Sequence, residues 1–248
     1  MDLTGRITRL IARRLPVKTA PLRSVRPVAS VTFDDFPKSA WTVGGPVMAR
    51  HHARGTYYTA GAFAGRTADG IAYYDTEDLG ALRAAGHEIG CHGFGHVPVS
   101  SLSNAALKED AERNAQFLTP FNGGEAPASF AFPFGETNLR TKRFYARRFA
   151  TVRGVHPGVN AGTLDLAQLR TIGIETYTWN EDTIAREIAY AKSVRGWIVF
   201  HTHDVSDSPS PYGCTPAMLE SVLKALAGAG IEVLPMREAV RVATGDAA

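Results

Sequence analysis

Val28-Ala29-Ser30-Val31-Thr32-Phe33-Asp34-Asp35 is an apolar run that stops at two adjacent carboxylates. The run has the length and composition of a buried strand, so the carboxylates stand at its mouth. Neighbouring carboxylates repel each other and are costly to desolvate unless a cation or a hydrogen-bond network accounts for them. A divalent metal held by one Asp and two His is the simplest such cation, and histidines lie downstream in His92-Gly93-Phe94-Gly95-His96 and His203-Asp204. A helix cap is the plain alternative for one of the two aspartates, but a cap needs only one.

Working outward, apolar runs near 28–34, 56–60, 87–91, 129–133, 150–155, 171–174, 197–203 and 231–235 alternate with helical patterns near 43–53, 76–85, 104–118, 139–148, 181–193 and 216–229. That alternation predicts βα units around a parallel sheet or barrel, an α/β class. Thr215-Pro216 fits an N-cap followed by proline at the first helical position, and Gly86 and Gly230 fit helix ends. In parallel α/β folds the functional groups gather at the carboxyl ends of the strands. Asp34, Asp35, His92, Pro133 and His203 each follow an apolar run, which predicts that they converge on one face.

The chain has 248 residues, 44% of them hydrophobic and 21% charged, as in an ordinary globular protein. No apolar stretch is long enough to span a bilayer, and Arg13-Arg14 cuts short the only N-terminal apolar segment, so no secretory signal is read and a cytoplasmic location is expected. Cys91 and Cys214 are too few for a disulfide framework. Residues 1–26 carry seven Arg or Lys and one acid, whereas the remainder has 20 basic and 23 acidic residues, so the net charge of +3 comes from the arm. The expected organisation is a basic helical arm over 1–27 and one catalytic domain over 28–248. Leu3, Ile7, Leu10 and Ile11 fall at helical spacing among arginines. That pattern fits peripheral contact with an anionic membrane and equally a solvated helix packed on the body. No nucleic-acid-binding motif is present, and none is expected as a partner.

His92 and His96 are four apart, within reach of one ion in a helix or a tight turn. Zinc is the usual match for a His/His/carboxylate set with an open position, and other borderline metals also fit. Gly93 and Gly95 are poor choices for a plain helix and let backbone approach a ligand closely.

Thr32-Phe33-Asp34-Asp35, Gly86-His87-Glu88-Ile89-Gly90-Cys91-His92 with His96, Phe132-Pro133-Phe134-Gly135 and the late His203-Asp204, in that order, resemble the NodB-type polysaccharide deacetylases, carbohydrate esterase family four. The resemblance covers roughly residues 28–240 and implies a distorted (β/α) barrel and metal-dependent removal of acetyl groups from N-acetylated sugars. It implies that Asp35, His92 and His96 hold the metal, that Asp34 is the general base, and that His203 is the general acid. Pro133, Phe134, Trp179 and His201 would then belong to the substrate and oxyanion side, with a backbone N–H near Phe134 as donor. The implied partner is a glycan or N-acetylated sugar. O-acetyl esterase or deformylase activity on a related sugar, and an inactive glycan- or lipid-binding module, are the competing expectations.

The chain departs from the family pattern at several points. Phe36 stands where many relatives have Gly, which predicts a narrower pocket mouth, and Gly93 replaces a Ser/Thr that braces the metal loop. Ala131 stands where many relatives place the arginine that orients the base, and Trp179 with Asp182 is the nearest candidate for the pair that supports it. His201 occupies a position where the family places an apolar residue, and His156-Pro157-Gly158-Val159-Asn160 is expected at the same mouth.

Overall fold

A computed structural model describes residues 3–245 of the chain. Its strands are β1 (Thr19–Pro21), β2 (Val28–Phe33), β3 (Thr56–Thr59), β4 (Thr67–Ala68), β5 (Ile71–Ala72), β6 (Glu88–Cys91), β7 (Ser129–Ala131), β8 (Thr151–Arg153), β9 (Thr163–Asp165), β10 (Ile172–Gly173), β11 (Trp197–Thr202) and β12 (Glu232–Val233). Its helices are α1 (Leu3–Arg14), α2 (Lys38–Thr42), α3 (Gly44–Arg50), α4 (Thr76–Ala84), α5 (Asn104–Leu118), α6 (Leu139–Ala146), α7 (Glu181–Ser193), α8 (Pro216–Ala229) and α9 (Met236–Thr244). All eight apolar runs of the sequence form strands of one parallel sheet, ordered β10-β11-β2-β3-β6-β7-β8, with β12 beside the start of β2. The sheet curls as a distorted barrel wall. Its edges approach through the segment before β10, where Leu169 donates to Val152 and accepts from Gly154.

Alternation along the strands sorts side chains into two layers. Ala29, Val31 and Phe33 of β2 and Ile198 and Phe200 of β11 join the core beneath the helices, while Val28, Tyr58, Ala131, Trp197 and Val199 fill the curled interior. The interior also holds polar groups, and each needs a partner. Glu88 accepts from Thr56 Oγ1 (2.9 Å), Ser129 Oγ (2.7 Å) and the Arg237 N–H (2.8 Å), and burial pushes its pKa up. Helix α9, which the sequence reading did not anticipate, packs Met236, Ala239 and Ala243 into this interior layer.

The helix ends follow the chemistry read from sequence. Thr215 caps α8 with Pro216 at its first position, and Gly230 ends it at φ 70°. Neither Asp34 nor Asp35 caps a helix, since α2 is preceded by Pro37. Among the described residues no helix is long and apolar enough to cross a membrane.

The basic arm is tied to the body. β1 pairs antiparallel with β9, and the buried Lys142 ammonium donates to the carbonyls of Ala12 (2.6 Å) and Leu15 (2.8 Å) while pairing with Asp165 at 2.5 Å. Those contacts satisfy carbonyls that the end of α1 leaves without an intrahelical donor. Ala12 is buried against the body, whereas Leu10 and Ile11 remain nearly half exposed. The side chains of Leu3 and Ile7 lie outside the described residues.

Candidate active site

β2 delivers Asp34 inward, on the same face as Val28, Ser30 and Thr32. An extended chain would point Asp35 the opposite way, but Asp35 (φ 63°) and Phe36 (φ 54°) adopt left-handed backbone and turn the second carboxylate back toward the first. Such residues are uncommon outside glycine and collect at functional sites. Phe36 itself is fully buried, stacked on Tyr74 at 4.9 Å and beside Tyr57 in the outer core. The expectation of a narrowed mouth is therefore corrected: the ring leaves the mouth altogether.

β6 delivers His92, and the chain then turns tightly through Gly93 (φ 72°) to His96 (φ 48°), without forming a helix. Asp110 of α5 holds this turn by accepting the N–H groups of Phe94 (3.0 Å) and Gly95 (2.8 Å). A Cβ at position 93 would stand 2.8 Å from the Asp110 carboxylate, so the glycine makes room for the brace that a hydroxyl would otherwise supply. Asp110 was missed in the sequence because it lies on a helix, 15 residues past Gly95.

The two turns bring three donor atoms together. Asp35 Oδ1 lies 3.2 Å from His92 Nε2 and 2.9 Å from His96 Nε2, and one donor atom of each residue lies within 4.8 Å of the others. Two ligands at roughly 2.1 Å from a shared zinc-sized ion stand about 3 to 3.5 Å apart, so the spacing fits one. Among the described residues Asp35 Oδ1 is buried without an aligned hydrogen bond, so its lone pairs are open to a cation. His92 Nδ1 lies 2.8 Å from the Ala131 carbonyl, which assigns its proton there and leaves the Nε2 lone pair for an ion. The Asp35 carboxyl is pushed up by burial but held well below the usual carboxylate range by the two imidazoles.

Asp34 is 4% exposed and pairs through Oδ1 with Nη2 of Arg153, which is fully buried. Arg153 ends β8, and its register partner across the β7–β8 ladder is Ala131. The guanidinium absent from position 131 thus comes from the neighbouring strand. Its Nη1 donates to the Gly154 carbonyl at 3.0 Å, and its carbon stands 5.0 Å from the Tyr58 ring centroid. Burial pushes the Asp34 carboxyl up, but the charges of Arg153, then His92, His203 and His201, outweigh it and lower its pKa.

The family model for polysaccharide deacetylase matches residues 23–151, more than half of the chain. This chain belongs to the polysaccharide deacetylases. Similar solved structures include a protein from Mycobacterium smegmatis described as a polysaccharide deacetylase (17% identity, 94% of this chain and 97% of that one, TM-score 0.64). A peptidoglycan N-acetylglucosamine deacetylase is similar at 14% identity over 89% and 90% of the chains, with a TM-score of 0.59. A family 4 acetyl xylan esterase from Clostridium thermocellum, solved with a cobalt ion, is similar at 20% identity over 88% and 95%, with a TM-score of 0.57. At these identities the likeness is one of fold. No curated protein matches the sequence.

In this deacetylase His203 follows β11, the neighbour of β2 in the sheet, with Nδ1 3.2 Å from the Tyr212 carbonyl. Among the described residues nothing hydrogen-bonds its Nε2. His201 is bound at both nitrogens, Nε2 to Glu175 (3.2 Å) and Nδ1 to Thr171 Oγ1 (3.1 Å), all three residues buried. Asp204 accepts from the N–H (2.8 Å) and hydroxyl (2.5 Å) of Ser210 and so ties down the loop after His203.

Pro133 is buried at the start of a short turn, and Phe134 (φ 57°, 59% exposed) presents its ring 4.6 Å from that of His96. The Phe134 N–H has no hydrogen-bond partner among the described residues. Trp179 packs partly buried against the outer core. Phe63 and Tyr73 stack at 4.4 Å, with Phe63 5.0 Å from His96, adding two rings to the mouth; no motif in the sequence marked Phe63. Tyr57, Tyr58 and Tyr74 are buried in the core. His156 lies elsewhere, in a separate cleft.

Proposed function

We propose that this polysaccharide deacetylase is a metal-dependent hydrolase that removes N-acetyl groups from a sugar or polysaccharide. The observation that carries the reading is the convergence of Asp35, His92 and His96 beside an Asp34 held by Arg153, with His203 near enough for its charge to act on Asp34. Asp35, His92 and His96 would hold a divalent metal, with zinc the first choice for that donor set. When bound, such an ion polarises an acyl oxygen and makes water more acidic.

The remaining roles belong to the chain. Asp34 is kept ionised, and its second oxygen has no hydrogen-bond partner among the described residues, so it can take a proton from the attacking water. The water oxygen bonds to the acyl carbon, and the Phe134 N–H is available to the acyl oxygen as charge develops there. When the C–N bond breaks, His203 Nε2 gives the nitrogen its proton while the Tyr212 carbonyl holds the opposite side of the ring. Acetate and a free amine result. Phe63, Tyr73 and Phe134 offer apolar faces to a sugar ring beside the metal ligands.

The same attack serves an O-acetyl ester or a formamide. One observation favours keeping the formamide in view: the buried His201–Glu175 pair makes the wall near Asp34 polar, where an acetyl methyl gains little. A panel of N-acetyl, O-acetyl and N-formyl forms of one oligosaccharide, assayed for acid release with metal supplied, tests the assignment. Faster release from the N-acetyl form is expected, and preference for another form or no release from any would overturn it.

A further inference from the structure

The segment that carries His156 walls a second cleft, of about 720 Å³, none of whose lining residues is a candidate metal ligand, Asp34 or His203. Four arginines line it: Arg13 and Arg14 from the end of α1, Arg170 from the segment before β10, and Arg186 from α7. None forms an ion pair with a carboxylate among the described residues. The Arg170 head donates only to the Pro157 carbonyl (3.3 Å) and that of Arg186 only to Thr183 Oγ1 (2.8 Å). Of the two acids in the lining, Asp165 is already paired with Lys142, which leaves Glu187 against four guanidinium groups.

Like charges gathered in one concavity raise the local potential and favour an anion. Arginine forks match carboxylate and phosphate oxygens in a bidentate manner. Two polar residues of the lining add a second requirement. Gln168 is 9% exposed, and among the described residues its Oε1 is buried without a partner, as is His156 Nδ1. A buried amide oxygen without a donor is costly, and an anion alone has no proton to give it. A ligand with both anionic groups and hydroxyls answers both needs. Burial, together with the charges of Arg170 and Arg13, pushes the His156 pKa down, which favours the neutral ring that can share a hydroxyl proton.

We propose that this cleft binds an acidic carbohydrate, its carboxylates or phosphates in the forks of Arg13, Arg14, Arg170 and Arg186 and its hydroxyls on Gln168 and His156. Binding here is read directly and stands whether or not the chain removes acetyl groups. The test titrates the full chain with trigalacturonate, with neutral chitotriose and with inorganic phosphate. Trigalacturonate should bind with an affinity that falls as salt is raised. The double substitution Arg170→Ala/Arg186→Ala should weaken it at least tenfold without altering the unfolding temperature, because both side chains are exposed. Gln168→Leu should weaken trigalacturonate several-fold. Unchanged trigalacturonate affinity in the arginine variant would overturn the proposal. So would displacement by chitotriose at equal concentration, which would mean binding at the catalytic centre. Phosphate binding as tight as trigalacturonate, with neither affected by Gln168→Leu, would reduce the cleft to a plain anion site and overturn the sugar.

Discussion

Asp34 and Arg153 are both withdrawn from water, and their pairing keeps each from being a buried charge without a counter-ion. Removing one member of such a pair costs about 3–5 kcal/mol, more than the pair itself contributes, because the survivor keeps its desolvation penalty. Arg153→Ala should therefore lower stability by about that amount and reduce turnover by at least tenfold, as measured by chemical unfolding and by kcat. Because Ala131 stands beside Arg153 in register on the next strand and faces the same interior, Arg153→Ala/Ala131→Arg should recover part of both losses. No recovery of either would mean that the guanidinium must enter from β8. The sequence made the vacancy at 131 legible but not its replacement. The signal was available: an arginine inside an apolar run of a sheet covered on both faces must find a carboxylate.

At the scale of elements, the turn that carries His92 and His96 depends on α5, since Asp110 accepts two of its N–H groups. Supports of this kind typically set metal affinity by a factor of roughly 10–100. Asp110→Ala should weaken metal binding by about that factor in a titration while secondary structure is retained; unchanged affinity would show that the turn holds itself. The start of β6 makes a different prediction. His87 is buried against Trp41 and Tyr57, and burial, with the charge of Arg54, pushes its pKa down to about 4. Unfolded, the imidazole titrates near 6.5. Between those values the unfolded chain takes up a proton that the folded chain does not, so stability falls as pH drops from about 6.5 toward 4. His87→Asn should remove on the order of 2 kcal/mol of that acid sensitivity, read from unfolding curves at pH 7 and 4.5. Equal pH dependence in both proteins would contradict the assignment. Strands and helices were legible from apolar periodicity and cap chemistry. α9 was not, since its nine residues follow β12 almost directly and Pro235 before them offers no capping side chain.

For the whole molecule, one parallel curled sheet explains why residues from 34 to 203 meet: each stands at or just beyond the carboxyl end of a strand. That convergence was legible because it needs only strand direction. The second cleft was not legible, because it depends on how α1, the segment before β10 and α7 lie against one another, which no local pattern encodes. The arm's positive charge, ambiguous in the sequence, is partly accounted for by that cleft through Arg13 and Arg14. In the proposed reaction Asp35, His92 and His96 hold an ion while Asp34 moves the proton. That division of roles is tested most directly by measuring acetate release from an N-acetylated oligosaccharide, alongside metal content, for the wild-type chain, Asp34→Asn and His92→Ala. One metal per chain with acetate release in the wild type is predicted, the same metal content with turnover reduced at least a hundredfold in Asp34→Asn, and loss of both in His92→Ala. Full turnover in Asp34→Asn, or full metal content and activity in His92→Ala, would contradict it.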